Sequence, residues 1–232
     1  MLWDISLYCL LERGNSMKVK MADLYSENKS FILFILLMCV FRSAVADWNE
    51  VPTSSMQPTI VEGDRILVNK LAYDVNTPFI HHSLYKLADP LRGDIIIFDS
   101  EVSDKRLVKR VVGVPGDTIA MIDNVLYIND QRLAYGNERI NERFSDKTEN
   151  LLGVQHSIRV ANAGSALSSF PSMNIPTDYY LAMGDNRDNS ADSRVIGLVP
   201  RTEIIGRAKQ VVISLNYDNY YLPRSKRFLH TL

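Results

Sequence analysis

Arg106-Leu107-Val108-Lys109-Arg110-Val111-Val112-Gly113-Val114-Pro115-Gly116-Asp117 reads as a β-branched, apolar strand that runs into a turn. Alternation sends Leu107, Lys109 and Val111 to one face and Val108, Arg110 and Val112 to the other. One of the two adjacent cations is therefore expected to face the interior. An ammonium among apolar side chains loses hydration, which disfavours its charged form and lowers its pKa. A neutral lysine of that kind is a general base. The same residues also fit an edge strand whose Lys and Arg both reach out to water.

Working outward, most of the chain is strand-like. Upstream, Arg92-Gly93-Asp94 introduces Ile95 to Phe98, apolar on both faces and so expected centrally in a packed sheet, and Glu62-Gly63-Asp64 introduces a strand over Arg65 to Lys70. Ala72 to Pro90 lacks a period and is expected as a ribbon or loop. Its His81-His82 pair is a poor metal site, because neighbours on an extended strand point to opposite faces. Downstream, Thr118 to Ile122 and Val125 to Ile128 form a hairpin about Asp123-Asn124. The pattern then weakens as far as Asp178, with a small-residue loop over Ala161 to Ser169. Residues 118–177 are expected to form a smaller inserted lobe without legible chemistry, His156 being a surface or a satisfied structural histidine. Strands return at Tyr179 to Met183 and Ile204 to Ile213, and an aromatic, then basic tail follows. The fold expected is mainly β with antiparallel sheets, its main domain drawn from 48–117 and 178–232.

The 232 residues carry a net charge of −1 with both signs mixed along the chain, which leaves no electrostatic footprint for nucleic acid. The two cysteines, Cys9 and Cys39, precede the body, so catalytic groups there must be oxygen or nitrogen. Ahead of the body lies the apolar run Phe31 to Phe41, interrupted by Arg42 and resumed as far as Ala46. Two readings stand. Residues 30–47 are a retained transmembrane anchor following a cytoplasmic segment over 1–29, with Arg42 snorkelling and Trp48 at the interface. Alternatively, Ala44-Val45-Ala46 is a small-x-small cleavage site after a secretory signal. The anchor is the expectation adopted. Either way, the basic residues before the run place the N-terminus inside and the body outside.

Two polar stretches remain. Pro52-Thr53-Ser54-Ser55-Met56-Gln57-Pro58-Thr59-Ile60 is a stiff, non-helical segment able to present one hydroxyl to a cleft. Gly184-Asp185-Asn186-Arg187-Asp188-Asn189-Ser190-Ala191-Asp192-Ser193-Arg194 is a dense polar cluster between apolar strands. It could be a plain surface loop, a calcium loop built on Asp185, Asp188 and Asp192, or a network orienting a catalytic group. EF-hand spacing fails, since the glycine at position six and the glutamate at position twelve are missing.

Taken in order, Ser55-Met56-Gln57-Pro58-Thr59, Lys109 to Asp117 and Gly184 to Arg194 closely resemble bacterial type I signal peptidase, and Arg92-Gly93-Asp94 fits a further family box. The similarity covers roughly Phe31 to Ala208. It implies a membrane-anchored Ser-Lys dyad protease on an antiparallel β scaffold. Carried over, Ser55 is the nucleophile, with Ser54 the competing hydroxyl, and Lys109 is the general base. The Ser55 N–H and the Thr53 hydroxyl form the oxyanion hole. Ser190 hydrogen-bonds the lysine ammonium, supported by the Asp192–Arg194 ion pair. Family and spacing together place Val51, Ile60, Leu107 and Val108 in shallow pockets for small substrate side chains.

The resemblance further implies no cofactor and no metal. The partners expected are precursor proteins bearing signal peptides, membrane lipid and the neighbouring secretion translocon, with no nucleic acid. The location expected is the cytoplasmic membrane, single-pass, with the catalytic domain on the outer side. Competing readings are a self-cleaving repressor, which the apolar run and the missing DNA-binding unit oppose, and an exported β domain that has become a binding module, which intact Ser55 and Lys109 oppose.

Overall fold

The computed structural model describes residues 27–79, 82–217 and 219–232. The expected N-terminal segment lies outside them except for residues 27–29, and His81 lies outside them. The chain divides into two units, 1–43 and 44–232. Residues 27–44 are helical, and the large apolar side chains from Phe31 to Met38 are exposed. Glu27, Lys29 and Arg42 place charges along the helix, and among the described residues no helix is long and apolar enough to cross a membrane. Residues 46 and 47, inside the expected anchor, belong to a strand, Ala46–Glu50, in which Trp48 pairs with Leu67.

In chain order the second unit contains β1 (Ala46–Glu50), β2 (Asp64–Asn69), β3 (Asp74–Asn76), β4 (Ser83–Lys86), β5 (Ile95–Ser100), β6 (Lys105–Gly113), β7 (Thr118–Ile122), β8 (Val125–Ile128) and β9 (Gln131–Arg132). Then follow β10 (Ala134–Ile140), β11 (Phe144–Leu151), β12 (Val154–Ala161), β13 (Phe170–Asn174), β14 (Tyr179–Met183), a helical turn at Ser193–Ile196, β15 (Val199–Pro200), β16 (Ile204–Asn216), β17 (Leu222–Pro223) and β18 (His230–Thr231). The main sheet runs β1-β2-β16-β5-β6-β14-β15, with β17 and β18 also on β16, and its strand pairs are antiparallel. The expected ribbon is the β3–β4 pair.

Strand β5 shows why the sheet is central. Ile95 and Ile97 pack with Met56, Ile60, Ile66 and Val68 on one face, while Ile96 and Phe98 pack with Tyr73, Val111 and Tyr180 on the other. Both faces are covered, so the expectation that only one of Lys109 and Arg110 faces inward is corrected: they are 3% and 4% exposed. Each must find a partner, because an unpaired buried charge costs several kcal/mol.

Residues 118–174 build two further antiparallel sheets, β13-β7-β8-β9 and β10-β11-β12. The β7–β8 hairpin turns through Asp123 and Asn124, whose φ angles of 49° and 61° suit Asp and Asn better than branched residues. The weak pattern over 134–161 conceals three strands. Asp146, Glu149 and His156 take buried positions beside Leu151, Ile158 and Val160, which breaks the apolar alternation a strand usually displays. His156 is therefore neither a surface residue nor hydrogen-bonded in ordinary geometry.

Candidate active site

The Pro52–Ile60 segment becomes a single 3-10 turn, Ser54–Met56, preceded by extended Thr53 and fixed in the core by Met56 and Ile60, both fully buried. The turn leaves Ser55 half-buried beside β6, and Lys109 Nζ lies 2.8 Å from Ser55 Oγ and 2.9 Å from the Val108 carbonyl. Two residues 54 positions apart in sequence are thus in direct contact. Ser54 turns away from the lysine and accepts a hydrogen bond from Asn189 Nδ2 at 3.1 Å. Thr53 Oγ1 lies 3.4 Å from Ser55 Oγ and caps nothing, and among the described residues the Ser55 N–H meets no acceptor. Two donors beside the Ser55 hydroxyl are therefore available to a ligand oxygen.

Burial pushes the Lys109 ammonium from its ordinary 10.5 down to about 8, while the charges of Asp192 and Asp185 hold it up and Arg194 opposes them. Asp192 is fully buried and takes Arg194 Nε and Nη2 at 2.8 and 2.7 Å, and it also accepts the Gly184 N–H at 2.9 Å. Burial alone would raise this carboxyl, but the Arg194 pair brings it below the usual range. Ser190 differs from expectation. Its hydroxyl is buried and has no partner in hydrogen-bond geometry; it lies near enough to Asp192 to help keep that carboxylate charged, while the lysine is bonded to Ser55 and Val108 instead.

Arg110 finds its counter-charge in Asp185, bonded through Nε at 2.9 Å and Nη2 at 2.7 Å, and Asp185 also accepts from Thr59. Arg187 is sealed against Glu149 of β11, and Asp188 accepts from Ser165, Ser168, Asn124 and the Ala161 N–H. Each acidic residue considered for a calcium loop is thus engaged by protein donors. Among the described residues no cluster of three or more His, Cys, Asp and Glu is arranged to hold a metal.

The cluster also grips the serine turn. The Asn186 N–H donates to the Ser55 carbonyl at 3.0 Å, and Asn186 Nδ2 donates to the Ser54 carbonyl at 3.1 Å. At the far end of the turn, Arg159 donates to Gln57 at 2.7 Å. Asn186, Asn189 and Arg159 escape a reading by sequence alone, since a polar side chain in a loop carries no period. Arg110 did carry a signal, because a guanidinium within an apolar strand needs a buried carboxylate.

An open cleft of about 440 Å³ leads away from Ser55 and Lys109, floored by Val51, Met56, Leu107 and Val108 and edged by Asn49, Glu50, Lys105 and Arg106. Ile60 does not line it. Its N–H bonds the Met56 carbonyl, and the turn so formed drives its side chain into the core with Ile66 and Ile95.

Residues 25–213 match the family model described as signal peptidase, peptidase S26. The chain is 34% identical over 209 residues to signal peptidase I of Pseudomonas fluorescens, covering 80% of this chain and 71% of that protein. It is 33% identical to signal peptidase I of Pseudomonas aeruginosa, with coverage of 80% and 71%, and 33% identical to signal peptidase I T of Bacillus subtilis, with coverage of 85% and 90%. A likeness that spans the turn, the strand and the polar cluster alike places this chain in the signal peptidase family, peptidase S26, as a signal peptidase hydrolase.

Proposed function

We propose that the protein removes signal peptides from exported precursors after small-x-small sites, using Ser55 as nucleophile and Lys109 as general base. The observation that carries this reading is the 2.8 Å contact between Lys109 Nζ and Ser55 Oγ in a site whose burial brings the ammonium down to about 8. Neutral Lys109 takes the Ser55 proton as Oγ adds to the scissile carbonyl. The carbonyl oxygen gains the electron pair and is met by the Ser55 N–H and the Thr53 hydroxyl, donors of a kind worth about 3 kcal/mol each. The lysine ammonium then protonates the leaving amine as the C–N bond breaks. In the second half-reaction Lys109 takes a proton from water as the hydroxide adds to the acyl carbon, and the lysine ammonium returns that proton to Ser55 Oγ as its bond to the acyl group breaks.

Asp192 and Arg194 act on the lysine through charge, and Val51, Leu107 and Val108 limit the cleft to small side chains. The apolar run Phe31 to Phe41 attaches the protein to the membrane, leaving the catalytic unit on the outer side, where precursors emerge from the translocon. The run rises only about 16 Å at 1.5 Å per residue, about half a hydrocarbon core, so attachment as a single pass needs Lys29 and Arg42 to snorkel.

The test is cleavage of an Ala-x-Ala precursor by the purified full chain. Wild type cleaves, whereas Ser55→Ala and Lys109→Met lose activity by at least three orders of magnitude with melting unchanged. Undiminished cleavage by Ser55→Ala rejects the nucleophile, and a mature N-terminus at Asp47 rejects the retained attachment.

A further inference from the structure

The neighbouring hydroxyl, Ser54, has no part in proton transfer, yet both of its polar oxygens are held. Its carbonyl accepts from Asn186 Nδ2 at 3.1 Å and its Oγ accepts from Asn189 Nδ2 at 3.1 Å. The two asparagines are themselves tied, since the Asn189 N–H donates to the Asn186 carbonyl at 3.0 Å. A trans peptide is planar, and its C=O and N–H point in opposite directions. The peptide that carries the Ser54 carbonyl also carries the Ser55 N–H. Fixing that carbonyl therefore aims the N–H the other way, to the side where it meets no protein acceptor.

We propose that Ser54 is a positioning residue, its hydroxyl locked by Asn189 so that the Ser54–Ser55 peptide presents the Ser55 N–H to the oxyanion. This deepens the proposed function and rests on it. Thr53 is exposed and makes no cap, so the peptide plane is held by the Gln57 N–H at 3.0 Å and Asn186 Nδ2 on the Ser54 carbonyl and, through the Ser54 side chain, by Asn189. A rotation of the plane would leave Lys109 and Ser55 in contact but withdraw one donor. Its signature is thus a loss in transition-state stabilisation without a change in substrate binding.

The experiment compares wild type with Ser54→Ala, Ser54→Thr, Asn189→Ala and the Ser54→Ala/Asn189→Ala double variant. Each is assayed for kcat and KM on an Ala-x-Ala precursor peptide, and for binding of a peptide aldehyde against the matching alcohol. The aldehyde adds Ser55 Oγ at its carbonyl carbon, sends the hydroxyl proton to Lys109 and places the former carbonyl oxygen in the oxyanion hole; the alcohol cannot. Loss of one neutral hydrogen bond is worth about tenfold. Ser54→Ala and Asn189→Ala are expected to lose about tenfold in kcat and in the aldehyde-to-alcohol affinity ratio, with KM unchanged, and the double variant to lose no more than either. Ser54→Thr, which keeps the hydroxyl, retains the wild-type ratio. Because the ratio is taken on the same folded fraction, instability cancels. An unchanged ratio in Ser54→Ala, or additive losses in the double variant, overturns the inference. A Ser55→Ala control separates the two levels: if it is inactive while Ser54→Ala matches wild type, only the positioning role falls, and if it still cleaves, the nucleophile assignment itself falls.

Discussion

A lysine serves as a general base only in proportion to its neutral fraction, and Lys109 is brought to about 8 chiefly by burial. Below that pH the ammonium dominates, so kcat/KM should fall tenfold per pH unit on the acid side and level off above pH 8. Asp192 opposes the shift, since its negative charge favours the ammonium, and Arg194 works the other way. Asp192→Asn removes the stabilising charge and leaves the Arg194 cation unbalanced. Both effects move the acid limb to lower pH, whatever the variant does to total activity. A pH profile of the variant with its limb at or above the wild-type position would contradict this account of the lysine. Ser190 makes no hydrogen bond to Lys109 and lies beside Asp192 instead.

At the scale of elements, the chemistry depends on how closely the end of β14 approaches the serine turn. A Cβ at Gly184 would overlap Ser190 Oγ and come within 2.5 Å of the Ser55 carbonyl oxygen. The hydroxyl could rotate away, but the carbonyl belongs to the turn and is already bonded to the Asn186 N–H. Gly184→Ala must therefore push the turn off β6, lengthening the Ser55–Lys109 contact. The expected result is a fall in kcat of at least tenfold with about 1–3 kcal/mol of lost stability, read by kinetics and thermal melting on one preparation. Full activity at unchanged melting temperature would mean that the two segments are less tightly apposed than described.

Across the whole second unit, buried charge pairs join distant strands to the polar cluster. Glu149 on β11 and Arg187 are 0% and 1% exposed, and Tyr135 donates to the same carboxylate at 2.7 Å. Burial raises the Glu149 carboxyl, but the Arg187 charge overcomes it and holds it well below the usual range, while Tyr135 is pushed up mainly by its own burial. Glu149→Gln keeps the shape and removes the charge, stranding the guanidinium. That should cost about 3 kcal/mol, or about 10 °C in melting temperature for a unit of this size, and activity should fall with it because Arg187 anchors the loop that grips Ser54 and Ser55. Glu149, Asp185 and Asp192 all have lowered carboxyl pKa values, so the stability they contribute is present above the ordinary carboxylate range and is lost as pH falls through their folded values.

The amino-acid sequence by itself determined the β character, the β7–β8 hairpin, the identity of Ser55 and Lys109 as candidates, and the polar cluster as something needing an account. Each is written in local alternation, turn residues or a short motif. Local alternation states which face a side chain takes, but not what covers that face. Only the tertiary structure decided that Lys109 and Arg110 are both buried, because both faces of β5 and β6 are covered, and that Ile60 packs in the core rather than the cleft. It alone decided that 134–161 is three strands, because the buried Glu149 that breaks their apolar pattern is compensated by Arg187, 38 residues further along the chain. The contact of Ser55 with Lys109 and the grip of Asn186 and Asn189 on Ser54 likewise join residues separated by 54, 132 and 135 positions, a separation that no local period encodes and that only the packed sheet closes.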